Sequence, residues 1–270
     1  MKNNLSLNRI IYPDIPLEAF FELAHSLGFK GVELRNDIND GEIFDNKEPE
    51  KIKALAEKYN LHIISINAVQ KFNLGTKLTN VIAEVKKLIE LSKRSGCQNI
   101  VLCPNNELDD NRAPELRYKE TVAALKAIGP LIANTGITCL VEPLGFEECS
   151  LRTKKEAIKA IEESGYSKCY KLVHDTFHHY LGTDEDIYPE YTGLVHISGV
   201  EASLPKDKIR DEHRILISSK DIMDNRGQIS AFQKAGFNSY FSFEPFSEIV
   251  QNMDKPKLVE EVQKSVQYIF

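Results

Sequence analysis

The stretch ITCLVEPLGFEECSLRTKKEAIKAIEESGYSKCYKLVHD (137–175) contains one full repeat of the pattern that decides the fold. It begins and ends with short apolar runs, ITCLVEP (137–143) and CYKLVHD (169–175), which predict buried strands. Between them, TKKEAIKAIEESG (153–165) spaces its apolar residues three and four apart, as an amphipathic helix does. A strand, a helix and a second strand in this order predict that the two strands pair in parallel.

The same alternation continues in both directions along the chain. Further strand-like runs lie at 5–11, 30–35, 61–67, 99–104, 193–198 and 239–245. Helical patterns lie at 17–29, 49–60, 78–96, 114–136, 229–237 and 255–270, and the helical signal between the sixth and seventh strands is weak. Several helical patterns end in a glycine that we expect to act as a C-cap: Gly28, Gly96, Gly136, Gly165 and Gly236.

Eight strand–helix units in 270 residues predict an α/β protein whose fold is a (β/α)₈ TIM barrel. The chain shows no linker and no break in composition, so we expect one domain that covers residues 1–270. An open, doubly wound sheet is the alternative fold. The first predicted strand is not followed by a GxGxxG motif, which argues against that alternative.

Composition restricts the classes of function. The net charge is −6 and the chain has no long basic block, so it lacks an obvious electrostatic footprint for nucleic acid. Residues 1–16 resemble neither a signal peptide nor a transit peptide, and no stretch approaches the ~20 apolar residues of a membrane span. The five cysteines form no CxxC pair and are odd in number, so we expect reduced thiols in a cytoplasmic protein.

Polar residues stand at the ends of the last four predicted strands: Glu142, Asp175, His196 and Glu244. A TIM barrel gathers the C-terminal ends of its strands at one mouth, so we expect these side chains to converge. Each of them taken alone fits a solvated loop residue, but together they place three carboxylates where burial is very costly without a cation. The donor set predicts one divalent metal ion, with Mn²⁺ favoured and Zn²⁺, Co²⁺ or Mg²⁺ as alternatives.

These residues lie in motifs that resemble the xylose-isomerase-like sugar isomerase and epimerase barrels. Within that superfamily the resemblance is closest to the 2-keto-myo-inositol (inosose) isomerases. It extends over the whole chain and is sharpest from about residue 137 onward. The motifs are CLVEPLGFEECSLRT (139–153), LVHDTFHHYLGT (172–183), LVHIS (194–198), DEHR (211–214) and FSFEPF (241–246).

The resemblance implies particular roles for site residues. His178 corresponds to a family position that contacts substrate oxygens, and Arg214 corresponds to an arginine that reaches the substrate near the metal. The two glutamates among the strand-end residues also act as the acid–base pair in the related ketose epimerases. The implied metal ligands are Glu142, Asp175, His196 and Glu244.

The reaction expected from this site is isomerisation or epimerisation of a keto-polyol or a ketose. A base removes the proton next to the carbonyl, and a cis-enediolate forms whose two oxygens the metal stabilises as a Lewis acid. We expect this small molecule as the partner, with no nucleic acid and no membrane, and the sequence leaves a homo-oligomer open. The alternatives are a keto-inositol dehydratase, an endonuclease IV-like phosphodiesterase and a catalytically inactive binding barrel.

Further expectations concern three residues and one loop. Asn67, near the end of the third strand, is a candidate for hydrogen bonding to a polyol, and Glu33 in the second strand is a candidate supporting group. His174 alternates with Asp175 and should therefore face the helix layer. The stretch ILISSKDIMDNRGQI (215–229) lacks the PGxG-like turn of many family members, so we expect a substrate loop of different shape.

Overall fold

Eight parallel strands form a closed barrel at the centre of the molecule. The computed structural model describes residues 4–184 and 186–270, and in it each strand pairs with its sequence neighbours while β1 pairs with β8. The strands are β1 Asn4–Asn8, β2 Gly31–Arg35, β3 His62–Val69, β4 Asn99–Leu102, β5 Thr138–Val141, β6 Tyr170–Asp175, β7 Thr192–Ile197 and β8 Tyr240–Phe243. The predicted (β/α)₈ TIM barrel is confirmed.

Helices surround the barrel and follow its strands. They are α1 Leu17–Ser26, α2 Pro49–Tyr59, α3 Leu78–Ser95, α4 Pro114–Ile132, α5 Lys154–Ser164, α6 Thr176–Leu181, α7 Asn225–Lys234, α8 Glu248–Gln251 and α9 Lys255–Ile269. The weak helical signal after the sixth strand corresponds to α6, which has only 6 residues. The five glycines predicted at helix ends all have φ between 75° and 79°, a backbone conformation that suits glycine.

The largest differences from the predicted helix boundaries are at the end of α4 and at the start of α7. Helix α4 ends at Ile132 rather than at Gly136, and Pro130 removes one backbone donor from its last turn. Helix α7 begins before the predicted residue 229 because Asp224 acts as its N-cap. The Asp224 carboxylate accepts a hydrogen bond from the backbone N–H of Gly227 at 3.1 Å.

Alternate strand residues point to opposite sides of the barrel wall. The outward side chains pack against the helices and form the main hydrophobic core. Inside the barrel, β3 to β7 contribute a smaller apolar cluster of Ile64, Ala68, Val101, Cys103, Leu140, Val173 and Leu194. The interior near β8, β1 and β2 is polar instead, with Ser6, Asn8, Glu33 and Ser242 fully buried.

His174 faces the helix layer, as its alternation with Asp175 predicts. Its Nε2 lies 2.9 Å from Oε1 of Gln228 in α7. Its ring also packs against the Phe232 ring of the same helix at 4.7 Å between centroids. His174 therefore joins β6 to α7 and takes no part in the barrel mouth.

Two expectations from composition can be compared with the structure. All five cysteines are free, and four of them are buried. Within residues 4–184 and 186–270, none of the helices combines the length and the apolar character that a bilayer span needs.

Gly129 in α4 offers a test of the packing between α4 and the segment after α5. A Cβ atom at this position would overlap with the ring of Tyr166. We expect Gly129→Ala to destabilise the protein by about 1–3 kcal/mol in urea denaturation, because the ring must move. In the Tyr166→Ala background the same change should cost nothing or stabilise, since alanine favours helix over glycine. Equal costs in both backgrounds would contradict this contact.

Candidate metal centre

Four buried side chains meet at the C-terminal mouth of the barrel. Glu142 directly follows β5, Asp175 ends β6, His196 is the penultimate residue of β7, and Glu244 directly follows β8. Each side chain offers one ligand atom, and the four atoms lie within 4.8 Å of one another. All four residues are at most 4% exposed. The structure therefore brings together the predicted ligand set, and metal binding by it stays a prediction.

His196 Nδ1 lies at the centre of this group. It is 2.9 Å from Glu142 Oε1 and 3.1 Å from Glu244 Oε2. It is 3.9 Å from Asp175 Oδ2. Two atoms that each lie about 2.0–2.2 Å from one metal ion, at octahedral or tetrahedral angles, are about 3–3.5 Å apart. The spacing of the histidine and the two glutamates therefore fits a shared ion.

Glu33 sets the orientation of the His196 ring. The Nε2–H group of His196 donates to Glu33 Oε2 at 3.1 Å, which leaves the Nδ1 lone pair facing the other ligands. Glu33 in turn accepts hydrogen bonds from Ser65 Oγ at 2.6 Å and from Asn67 Nδ2 at 2.9 Å. A carboxylate behind the histidine is the usual support of a metal-binding imidazole. This is the supporting position expected of Glu33.

Two arginines supply positive charge at the site but do not neutralise it. Arg214 Nη2 donates to Asp175 Oδ2 at 2.6 Å and to Glu244 Oε2 at 2.9 Å. Arg35 Nη1 donates to Glu244 Oε1 at 2.9 Å. With Glu33, the site holds four buried carboxylates against two buried guanidinium groups. One divalent cation would balance the remaining charge, so the residues fit such an ion.

The raised pKa of His196 reflects the negative charge around it, and the raised pKa of Asp175 reflects its burial. Burial alone would lower the pKa of His196, but the charges of Glu244, Glu33 and Glu142 raise it well above its ordinary value. Burial raises the pKa of Asp175, although the Arg214 charge opposes this. Either a proton on His196 or a divalent cation would add positive charge among these carboxylates. The cation would contact all four ligand residues.

His178 and Arg214 both lie beside the ligand group. The backbone N–H of His178 is 3.4 Å from Asp175 Oδ1, and its ring packs on the Phe146 ring at 5.1 Å. Burial lowers the pKa of His178 to about 4, helped by the Arg214 charge, so its imidazole is neutral at pH 7. The Arg214 guanidinium lies over the Phe177 ring at 4.9 Å. Their contacts with substrate stay predictions.

Asn67 lies inside the barrel at 2% exposure. Its Nδ2 group donates to Glu33 Oε2 and to Ser65 Oγ, both at 2.9 Å. The amide hydrogens of Asn67 therefore support Glu33. A contact between Asn67 and substrate stays a prediction.

Sequence reasoning missed Arg35. Its guanidinium bridges Glu244 and Asp37, with Nη2 2.6 Å from Asp37 Oδ2. A usable pattern was present, because Arg35 follows Glu33 by two residues and strand residues two apart share a face. Asn8 of β1 also supports the site, since its Nδ2 donates to Glu244 Oε1 at 3.1 Å.

With this geometry, the chain can be compared with known proteins. Residues 21–269 match the xylose isomerase-like TIM barrels, and the chain belongs to this family. A xylose isomerase domain containing protein from Salmonella typhimurium LT2 is 37% identical with a TM-score of 0.90, over 100% of this chain and 98% of that one. The family resemblance predicted from the motifs is therefore confirmed.

More distant structures share the fold. The IolI protein with a bound zinc atom is 20% identical with a TM-score of 0.88, over 98% of this chain and 99% of that one. D-psicose 3-epimerase from Clostridium cellulolyticum H10, solved with D-tagatose, is 15% identical with a TM-score of 0.77, over 98% of this chain and 97% of that one. No curated protein matches the chain in sequence.

A divalent metal ion should stabilise the folded protein. Binding at 100 times the Kd contributes about 2.7 kcal/mol to the free energy of unfolding, because the ion binds only the folded ligand set. We expect thermal unfolding to show a higher Tm with Mn²⁺ than with EDTA. His196→Gln should remove most of this shift. Glu148→Gln, which changes a carboxylate of the β5–α5 loop outside the ligand group, should retain it; an equal shift in both variants would contradict the assignment.

Glu33→Gln should weaken metal binding without removing a ligand. Glutamine keeps the shape of Glu33 but loses the negative charge that holds Nε2–H of His196, so we expect affinity to fall about 10–100-fold. Competition titration against a metal chelator measures this. Glu84→Gln is the matched control, since Glu84 is a half-buried carboxylate that accepts from Asn36 at 2.9 Å outside the site. Unchanged affinity in Glu33→Gln would disprove the supporting role.

Proposed function

We propose that the protein is a divalent-metal-dependent isomerase or epimerase that acts on a keto-polyol or a ketose. The observation that carries the proposal is the group of four buried ligand atoms within 4.8 Å of one another, in which Glu142 and Glu244 flank His196. Membership of the xylose isomerase-like family supports the same class of reaction. The inososes are the first substrates to consider, on the sequence motifs that follow residue 137.

The bound metal ion would supply the positive charge that stabilises the substrate oxygens as negative charge develops on them. The two glutamates move the proton. Glu244 accepts from Arg214, Arg35 and Asn8, so its charge is held by three partners. Glu142 has fewer donors: His196 Nδ1 lies near both glutamates and donates to neither in this tautomer, and the Cys103 Sγ–H group lies 3.5 Å from Glu142 Oε2. We therefore assign Glu142 to proton removal and Glu244 to proton return on the other side of the substrate.

His178 and Arg214 would orient the substrate. The neutral imidazole of His178 can donate to or accept from a hydroxyl group. Arg214 keeps its charge at every working pH, and Ser198 Oγ, which accepts from its Nε at 3.0 Å, helps to fix its position. Holding the substrate in one orientation decides which neighbouring carbon loses its proton.

Two other activities on this barrel can be separated from the proposed one. A keto-inositol dehydratase would start with the same proton removal but would release water. An endonuclease IV-like phosphodiesterase needs a cluster of zinc ions and several histidine ligands. Within residues 4–184 and 186–270, the one group of candidate ligands holds a single histidine. The structure therefore favours the isomerase or epimerase over the nuclease.

Proton NMR in D₂O tests the proposed reaction. A panel of keto-inositols and ketoses would be incubated with the protein, once with Mn²⁺ and once with EDTA. We expect a metal-dependent loss of the signal of the proton next to the carbonyl in at least one compound, followed by the isomer or epimer. Loss of water from that compound would assign the dehydratase instead. An absence of exchange across the panel would contradict the proposal.

Glu142→Gln and Glu244→Gln should each lower kcat by about 10²–10⁴-fold or more, because an amide cannot exchange the proton. The change preserves shape and removes one buried negative charge, so we expect both variants to remain folded by circular dichroism. Glu84→Gln, which changes a half-buried carboxylate that accepts from Asn36 outside the site, serves as the control and should keep its activity. Full activity in either site variant, or loss of its fold, would contradict the assigned role.

A further inference from the structure

A groove with a volume of about 410 Å³ lies beside the metal centre. We call it the mouth groove; its walls come from Leu108, from residues 145–148 and Arg152 after β5, from Leu181 of α6, and from residues 206–208 and Arg210 after β7. Phe146 lines this groove, and its ring also packs on the His178 ring at 5.1 Å. Arg152 lines it too and borders a small enclosed cavity that Asp175 and His178 share. Through Phe146 and Arg152, the mouth groove therefore lies next to residues that contact or border the ligand group.

Four cationic residues line the mouth groove, and two of them already have acidic partners. Lys208 Nζ lies 3.3 Å from Asp207 Oδ2. Arg210 Nη2 lies 3.9 Å from Glu148 Oε1. In each pair the acid neutralises the cation, so these four side chains leave little net charge for a ligand.

Arg152 and Lys206 differ from Lys208 and Arg210. Across residues 4–184 and 186–270, neither side chain forms an ion pair with a carboxylate. Arg152 Nη2 donates to the carbonyl oxygen of Gly145 at 2.9 Å, while its Nε is buried and has no hydrogen-bond partner among the described atoms. Lys206 Nζ donates to the carbonyl oxygen of Tyr180 at 2.9 Å and lies 4.2 Å from the centre of the Tyr180 ring.

We propose that the mouth groove binds the anionic end of the substrate, a phosphate or a carboxylate, while the carbonyl end lies at the metal centre. This inference rests on the proposed function and narrows its substrate class from ketoses and keto-polyols in general, including the uncharged inososes, to those that carry a phosphate or a carboxylate. When the substrate is bound, its anionic group would accept a hydrogen bond from the Nε–H group of Arg152 and would place a negative charge beside the Lys206 ammonium. The remaining acid of the lining, Glu147, is exposed. With it, the groove is lined by four cationic and three acidic side chains, so its net charge is positive.

Three ligands that differ only at carbon 6 test the inference: D-fructose, D-fructose 6-phosphate and D-fructuronate. Binding to the Mn²⁺-loaded protein would be measured by isothermal titration calorimetry. We expect at least one anionic ligand to bind tenfold or more tightly than D-fructose, since charge-assisted hydrogen bonds exceed neutral ones. Whether the phosphate or the carboxylate gains more identifies the anionic group. Equal affinity for all three, or no measurable binding of either anion, would overturn the inference.

Matched variants locate the effect in the groove. In the Arg152→Gln/Lys206→Met double variant, the preference for the anionic ligand should fall about tenfold or more, while affinity for D-fructose stays within about twofold of wild type. Lys208→Met removes the same charge from a residue that is already paired, and it should keep the preference. A preference that survives in the double variant would overturn the inference. Binding can be detected whether or not the ligand is converted, so a failure of the exchange assay and a failure of this test are distinguishable.

Discussion

The structure depends on one electrostatic constraint, the negative charge buried at the barrel mouth. Three strand-end carboxylates and Glu33 surround His196, and two guanidinium groups balance only part of their charge. Removing such groups from water is costly unless cations or hydrogen bonds compensate. This buried negative charge accounts for the arginine contacts and for the raised pKa of His196.

The barrel meets this constraint by dividing its interior. Side chains of β3 to β7 form an apolar cluster, while β8, β1 and β2, together with Ser65 and Asn67 of β3, carry buried polar groups. Those polar groups hold the ligands from behind: Asn8 and Arg35 donate to Glu244, and Glu33 orients His196. Because parallel pairing closes β8 onto β1, these supports lie next to ligands that are distant in sequence. The geometry of the site therefore depends on the closure of the barrel between β8 and β1.

The sequence predicted the parts of this arrangement that have a linear pattern. Glu142 and Glu244 each follow an apolar run, and the barrel rule places such positions at one mouth. The contact between Arg35 and Glu244 has no such pattern, because it depends on how β8, β1 and β2 meet across the closed sheet. The mouth groove depends on the paths of two loops, which no periodicity describes. The geometry of these loops, rather than the order of the strands, decides which cations of the groove have an acidic partner and leaves Arg152 without one among the described residues.

The most direct test of the account is anomalous diffraction from crystals of the protein grown with Mn²⁺. Data collected on both sides of the manganese absorption edge locate the ion independently of any assumption about its ligands. We expect one strong peak within about 2.0–2.3 Å of ligand atoms from Glu142, Asp175, His196 and Glu244. An ion bound elsewhere, or an intact site with no peak at saturating Mn²⁺, would contradict it.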